Sequence, residues 1–196
     1  MQLQIRKDFG DSTLPTKANP SDVGWDVYAH SMKVVGKKLL DNGNDMDSIW
    51  EEIDWIEYSI GLSINPIPTT NISGSYEEFF TYLAPRSSIR KYNLLMCNGF
   101  GVIDRCFRNT TSACFAYKTQ PVDLRLVNFH TNVDNPDGER VGQYFGIKIN
   151  PEKIYKAGDK IAQLIVTTQP DVYLGQKFGA WGETDRGTNG YGSSGR

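Results

Sequence analysis

The chain has 196 residues, of which 39% are hydrophobic and 22% charged, with a formal net charge of −2. That length fits one domain with a proper core, and the charge balance excludes the broad basic field needed to wrap nucleic acid. No apolar run approaches the roughly 20 residues of a membrane span, and Met1-Gln2-Leu3-Gln4-Ile5-Arg6-Lys7 lacks the charged-then-apolar order of a signal peptide, so a soluble intracellular protein with no membrane partner is expected.

Leu3 and Ile5 alternate with polar neighbours as in a short strand, and Leu14-Pro15-Thr16 opens a turn-rich link. The link leads to Asp22-Val23-Gly24-Trp25-Asp26-Val27-Tyr28-Ala29, where apolar residues alternate around Asp26. A strand there delivers one carboxylate, either into a crowded site or to solvent. Lys33-Val34-Val35 and Lys38-Leu39-Leu40 are strand-like and precede a turn at Asp41-Asn42-Gly43-Asn44. Ser48-Ile49-Trp50-Glu51 has the form of a helical capping box, and Ile49, Ile53 and Ile56 follow at roughly helical spacing, which predicts a short helix, although Trp50, Trp55 and Tyr58 suit a strand as well. Gly61-Leu62-Ser63-Ile64-Asn65-Pro66 returns to alternation, and the aromatics of residues 76–83 favour a strand over the competing cap signal Ser75-Tyr76-Glu77-Glu78.

Ala84-Pro85-Arg86-Ser87-Ser88-Ile89 presents a guanidinium, two hydroxyls and several backbone N–H groups within four residues, the donor inventory of an anion cradle; a plain polar turn has the same composition. Asn98-Gly99-Phe100-Gly101-Val102-Ile103-Asp104-Arg105-Cys106-Phe107-Arg108 reads as a β-hairpin with Asn-Gly at its tight turn and one acid, Asp104, at the end of the returning strand. Further strands are predicted at Ala113-Cys114-Phe115-Ala116-Tyr117, at Leu124-Arg125-Leu126-Val127 and over residues 143–149, with Asp134-Asn135-Pro136-Asp137-Gly138 an exposed loop between the last two. After the turn Ala157-Gly158-Asp159-Lys160 comes the apolar strand of residues 161–166, interrupted by a single amide at Gln163 that needs a hydrogen-bond partner. Residues 175–196 hold seven glycines and cannot build a core of their own; they form either a linker or an arm able to close over a ligand. Cys97, Cys106 and Cys114 are odd in number and lack zinc-ligand spacing, which argues against a disulfide framework and a structural metal site. The sequons at Asn71 and Asn109 carry no weight in a chain expected to stay inside the cell.

Five separated segments, taken in order, resemble the trimeric dUTPase family: Gly24-Trp25-Asp26-Val27-Tyr28-Ala29, Ala84-Pro85-Arg86-Ser87-Ser88-Ile89, Asn98-Gly99-Phe100-Gly101-Val102-Ile103-Asp104 with Phe107-Arg108, Gly158-Asp159-Lys160-Ile161-Ala162-Gln163-Leu164-Ile165, and Arg186-Gly187 through Gly190-Tyr191-Gly192-Ser193-Ser194-Gly195. No single segment is decisive; the ordered set is. The resemblance implies an all-β distorted jelly roll over residues 1–174 and an arm over residues 175–196; residues at about 31–58 and 117–150 lie outside it as insertions, which in a binding role would be the surfaces for an unidentified protein partner. It implies a homotrimer with active sites shared between subunits, hydrolysis of dUTP to dUMP and pyrophosphate, Mg²⁺ as cofactor, and a cytoplasmic setting, or host cytoplasm for a viral enzyme. Asp104 would be the base that activates water; Asp26 would hold the metal through water; Arg86, Ser87, Ser88 and Gln163 would grip the phosphates. Asn98, Gly101 and Ile103 would read the uracil edge, Phe107 would lie against deoxyribose, and Arg186, Tyr191, Gly192, Ser193 and Ser194 would close the site.

Two positions depart from the family pattern. Phe107 stands where a Tyr usually packs on the sugar, which keeps the steric wall and loses a hydroxyl, and Tyr191 stands where a Phe usually stacks on uracil. A dCTP deaminase shares the expected fold and an Arg-Ser-Ser segment followed by Ile-Asp, and Arg90 adds to that likeness; it needs a Glu about ten residues past the Asp, where this chain has Cys114 and no Glu before Glu139. A non-catalytic binding protein on the same fold is the alternative from another class.

Overall fold

Period-two burial runs through most elements of the computed structural model, which describes residues 2–70, 74, 76–129, 142–170, 172 and 174–176. Among those residues thirteen strands form: β1 (Gln2–Lys7), β2 (Trp25–Tyr28), β3 (Ser31–Leu40), β4 (Ile49–Ser59), β5 (Leu62–Ile67), β6 (Thr69–Thr70), β7 (Tyr76–Pro85), β8 (Leu94–Met96), β9 (Gly101–Ile103), β10 (Ser112–Tyr117), β11 (Leu124–Phe129), β12 (Gly142–Ile147) and β13 (Lys160–Gln169). Among the described residues the helical elements are three short 3-10 turns, at Ser87–Lys91, Pro121–Asp123 and Pro151–Lys153. The all-β expectation holds.

The strands form three antiparallel sheets. β1 pairs with β5; a second sheet runs β11-β12-β4-β10-β8 with β3 along the other edge of β4; the third runs β2-β13-β7-β6 with β9 also on β7. The second and third sheets share a core: Ile56, Tyr58 and Phe115 from one and Leu83, Ile161 and Leu164 from the other are each at most 1% exposed. Each such side chain contributes about 1.5–3 kcal/mol on burial. Tyr155 sits among them with its ring centroid 5.9 Å from Tyr58 and 5.6 Å from Phe115, both edge-on, the arrangement that aromatic quadrupoles favour.

Two expectations fail for tertiary reasons. Residues 48–58 do not form the short helix that the capping-box pattern predicts. The Ser48 hydroxyl is consumed in the preceding turn, donating to the Asn44 carbonyl at 2.6 Å and accepting from the Asn42 N–H at 3.2 Å, so no helix N-cap is left, and β4 is paired along both edges, by β3 on one and by β10 and β12 on the other. The ladder on two sides outweighs a local 3.6-residue spacing. The Asn98-Gly99 stretch is likewise not a hairpin: β8 pairs with β10 in the second sheet and β9 with β7 in the third. The turn, with Gly99 at φ +65° and its N–H donating to the Met96 carbonyl at 3.2 Å, is a corner by which the chain changes sheets. The strand expected over residues 143–149 ends at Ile147, and Ile149 is buried in the core after the chain has left the ladder. The loop expected at residues 134–138 lies outside the described residues, as do the arm residues Arg186, Tyr191, Gly192, Ser193 and Ser194.

Candidate active site

The third sheet carries both clusters of candidate residues. At one end of β7, Ala84 lies opposite Gln163 of β13, which in turn lies opposite Asp26 of β2. Two residues past Ala84 the chain leaves the strand at Arg86, whose Nε donates to Asp26 Oδ1 at 2.9 Å, while Lys160 Nζ reaches Asp26 Oδ2 at 3.0 Å. Asp26 is buried and both its oxygens hold a cation. Burial alone would raise its pKa; the hydrogen bond from Lys160 and the charges of Arg86 and Lys160 outweigh that and hold the carboxyl below its usual value. Arg86 Nη1 also donates to Ser88 Oγ at 3.3 Å and to the Lys160 carbonyl at 3.4 Å, so the guanidinium is fixed on three sides.

Arg86, Ser88, Lys91 and Lys160 line a cleft of about 380 Å³ that also receives Tyr28 and Asp159. Counting Asp26 behind it, three cations face two carboxylates, so the cleft favours an anion. These residues do not fit a resident divalent cation. Asp26 is already the shared counter-ion of Arg86 and Lys160, and no group of three or more His, Cys, Asp or Glu side chains with metal-holding geometry exists among the described residues. In this arrangement the Asp26 carboxylate positions Arg86 and Lys160.

The second cluster surrounds a cleft of about 200 Å³ on the β9 side of β7, lined by Asn98, Gly101, Ile103, Asp104, Phe107 and Thr111 among others. Asp104 is exposed at its lip, one residue past β9, and the Phe107 N–H closes a turn onto the Asp104 carbonyl at 2.9 Å, which keeps the 42%-exposed ring beside the acid. A Cβ on residue 101 would lie 3.0 Å from Asn98 Nδ2, so glycine here lets the amide fold back across the backbone. A larger cavity, about 550 Å³, lies against β1 and β5 and takes in Arg6, Ser63 and Arg108. It holds no carboxylate, and the chemistry favours the smaller clefts over the roomier one.

The structure brings Asp26, Arg86, Ser88 and Gln163 together, and separately Asn98, Gly101, Ile103, Asp104 and Phe107. It does not bring the two groups together within one chain. Ile103 lies opposite Thr81 and Pro85 is the last residue of β7; Asp104, the next residue, is level with Phe80, and Arg86 is one step past the strand, so six residues of strand rise, roughly 20 Å, separate their backbones. Ser87 is exposed on the turn beside Ser88. Gln163 is half-buried, and its side chain lies along Gly24, where an added Cβ would stand 3.4 Å from its carboxamide carbon.

Sequence reasoning missed Lys160 and Thr111. Lys160 was read as part of a turn; its pairing with Asp26 depends on β2 and β13 becoming neighbours, which no local pattern announces. Thr111 is 3% exposed, lines the Asp104 cleft, and its hydroxyl has no hydrogen-bond partner among the described residues. A second hydroxy-residue directly after Asn109-Thr110 was its only local signal.

No family model and no curated protein matches the sequence. Solved structures do match the fold. The Staphylococcus bacteriophage 80alpha dUTPase with dUpNHpp superposes with a TM-score of 0.63 at 18% identity, over 100% of this chain and 99% of that one. A variant of the same enzyme, also with dUpNHpp, gives 0.62 at 18% identity with the same coverage. A variant of the dUTPase of phage phi11 of S. aureus, in a structure describing the coordination of a structural Mg(II) ion, gives 0.55 at 16% identity over 90% of this chain and 97% of that one. The fold is that of the dUTPases.

Proposed function

We propose that this chain, built on the dUTPase fold, is a dUTP diphosphatase that hydrolyses dUTP to dUMP and pyrophosphate by in-line attack of water at the α-phosphorus. The observation that carries the reading is the placement of Asp104 at the lip of a small cleft walled by Asn98, Gly101, Ile103 and Phe107, on a fold that also holds a net-positive cradle around Arg86. Asp104 takes the proton of the attacking water, a step worth roughly 10²–10⁴ in rate. The backbone of residues 98–103 pairs with the edge of the base, and the Phe107 ring lies against deoxyribose and leaves no room for a ribose hydroxyl.

Arg86, Ser87, Ser88 and Gln163 take the phosphates, with Asp26 and Lys160 holding Arg86 in place; positioning and charge neutralisation supply most of the remaining acceleration. Magnesium enters as the salt of the triphosphate, as part of the substrate. Because in-line attack needs reacting atoms within about 3–3.5 Å, and the cradle and the acid of one chain stand roughly 20 Å apart, the site is completed between copies, in a homotrimer. Arg186, Tyr191, Gly192, Ser193 and Ser194 of the arm then close over the nucleotide. The expected setting is the cytoplasm, of the host for a phage enzyme.

A second role, binding a protein, is favoured by one observation. Leu124, Leu126 and Phe145 lie on one face of the β11–β12 pair, Leu126 opposite Phe145, and stand 44%, 48% and 71% exposed. Phage 80alpha dUTPase is described as controlling transfer of virulence genes by a G protein-like mechanism.

The test is to incubate purified protein with magnesium and dUTP, dCTP or UTP. Pyrophosphate from dUTP alone supports the reading; ammonia from dCTP replaces it with a deaminase, and no turnover leaves the binding role. Asp104→Asn is expected to lower kcat at least about 10²-fold with dUTP affinity little changed; retained turnover would assign the base to another group.

A further inference from the structure

Two thiols face each other on the outer side of the second sheet. In β10, Ala113, Phe115 and Tyr117 point into the core and Ser112, Cys114 and Ala116 alternate outward. Met96 of β8 lies opposite Phe115. One step on, just past the end of β8, the Cys97 N–H donates to the Cys114 carbonyl at 3.0 Å, which continues the register to bring Cys97 beside Cys114. Residues directly opposed across antiparallel strands point to the same side with Cα atoms about 4.5–5.5 Å apart, inside the roughly 4.4–6.8 Å range that disulfides span. Cβ atoms opposed in this way, about 4.5–5.5 Å apart, must approach by about 1–2 Å to bond. Cys97 has that freedom, being exposed and just past the end of β8. Cys114 is half-buried, with Glu57 opposite it on β4 and Lys33 beyond, the two joined at 2.9 Å. Burial first, then Glu57 and Cys97, push the Cys114 thiol up, which leaves Cys97 as the accessible sulfur and Cys114 as the resolving one.

We propose that Cys97 and Cys114 form a reversible disulfide by exchange with a low-molecular-weight disulfide. The Cys97 thiolate attacks one sulfur of the small disulfide, whose S–S bond breaks; one small thiol leaves and a mixed disulfide forms at Cys97. Cys114 gives its proton to solvent, its thiolate attacks the Cys97 sulfur, and the second small thiol leaves. Two protein thiols are oxidised and one small disulfide is reduced to two thiols, with no other co-reactant. The bond closes with mild strain at an exposed strand end, the setting in which disulfides are readily reduced again. Cys97 is joined directly to Asn98, so the cross-link fixes the start of the corner whose Asn98 and Gly101 line the Asp104 cleft. The consequence for turnover rests on the hydrolase reading: oxidation lowers it and reduction restores it.

The experiment incubates the full chain with glutathione disulfide, blocks remaining thiols with an alkylating reagent, and maps the digested peptides by mass spectrometry. A Cys97–Cys114 link is expected in the wild type and in Cys106→Ser, is lost in Cys97→Ser and Cys114→Ser, and is released by dithiothreitol. Glutathione held at Cys97 with Cys114 still alkylated, a Cys97–Cys106 link, or links between chains would overturn the proposal. Turnover of dUTP is measured on the same samples. A disulfide that leaves turnover unchanged removes the regulatory consequence. No turnover in either state removes the hydrolase reading and leaves the disulfide standing.

Discussion

Asp26→Asn isolates the role of the buried carboxylate. The substitution is isosteric, and the amide oxygen can still accept from Arg86 Nε, now 2.9 Å from Oδ1. The amide nitrogen, however, replaces the oxygen that Lys160 Nζ approaches to 3.0 Å, so a donor meets a donor, and two cations lose their counter-ion. Removing one member of a fully buried pair costs about 3–5 kcal/mol, and exposed pairs contribute about 0–1. The Asp26 side chain is 6% exposed, while those of Arg86 and Lys160 keep 26% and 36% exposure, which places the loss at about 2 kcal/mol. In a chain of this size that lowers Tm by about 4–8 °C.

The pH dependence gives a sharper signature. The folded-state pKa of Asp26 is depressed below the unfolded value, so its contribution is fully present above that unfolded value, near 4, and is lost as pH falls through the folded pKa. Thermal melts of wild type and variant, stepped from pH 7 to pH 3, should show a constant gap down to about pH 4 that closes below it. A gap that stays unchanged to pH 3, or no gap at pH 7, would refute the assignment of Asp26 as counter-ion of this cradle.

Gly146→Ala should cost about 1–3 kcal/mol by overpacking, read from the urea midpoint, because the added Cβ would stand 2.3 Å from Ile49 Cγ2 and 2.8 Å from Leu39 Cδ2, where β12 crosses the base of the β3–β4 pair. Tyr117→Phe removes a hydroxyl that donates to buried Asp123 at 2.8 Å and accepts from the Asn150 N–H at 3.0 Å. A loss of about 1–3 kcal/mol is expected, and a double-mutant cycle with Asp123→Ala should return a coupling above about 0.5 kcal/mol; additivity would mean the bond contributes nothing.

Much of the fold was legible because antiparallel strands with one buried face write their period into the chain. Residues 113–117 alternate in burial as their sequence alternates, and the strand at 161–166 was placed within β13. The failures share a cause. Ser48 through Glu51 carry a real capping-box pattern, but the hydroxyl bonds backward into its own turn and the following residues find ladder partners on both sides. Asn98-Gly99 did make the turn it announces; which strands flank a turn is decided by partners far along the chain, and here they belong to different sheets. Within the candidate site, the residue types that face a phosphate were readable at Arg86 and Ser88, whereas Lys160 was invisible as a site residue because its partner is more than 130 positions away.

The sequence by itself determined the chemistry available: an acid after a strand at Asp104, a guanidinium among hydroxyls at Arg86, an Asn-Gly turn with a glycine at 101, and strand patterns along most of the chain. These are local properties, set by side-chain type and by spacing of two to four residues. Only the tertiary structure decided which charges meet. Asp26, 60 positions from Arg86, is its ion-pair partner at 2.9 Å, while Asp104, much nearer in sequence, lies level with Phe80 of β7, about 20 Å of strand rise from Arg86. Strand pairing brings distant segments side by side at 4.8 Å or so and sets near ones well apart along a strand, and it is that register which keeps the two clusters apart within one chain.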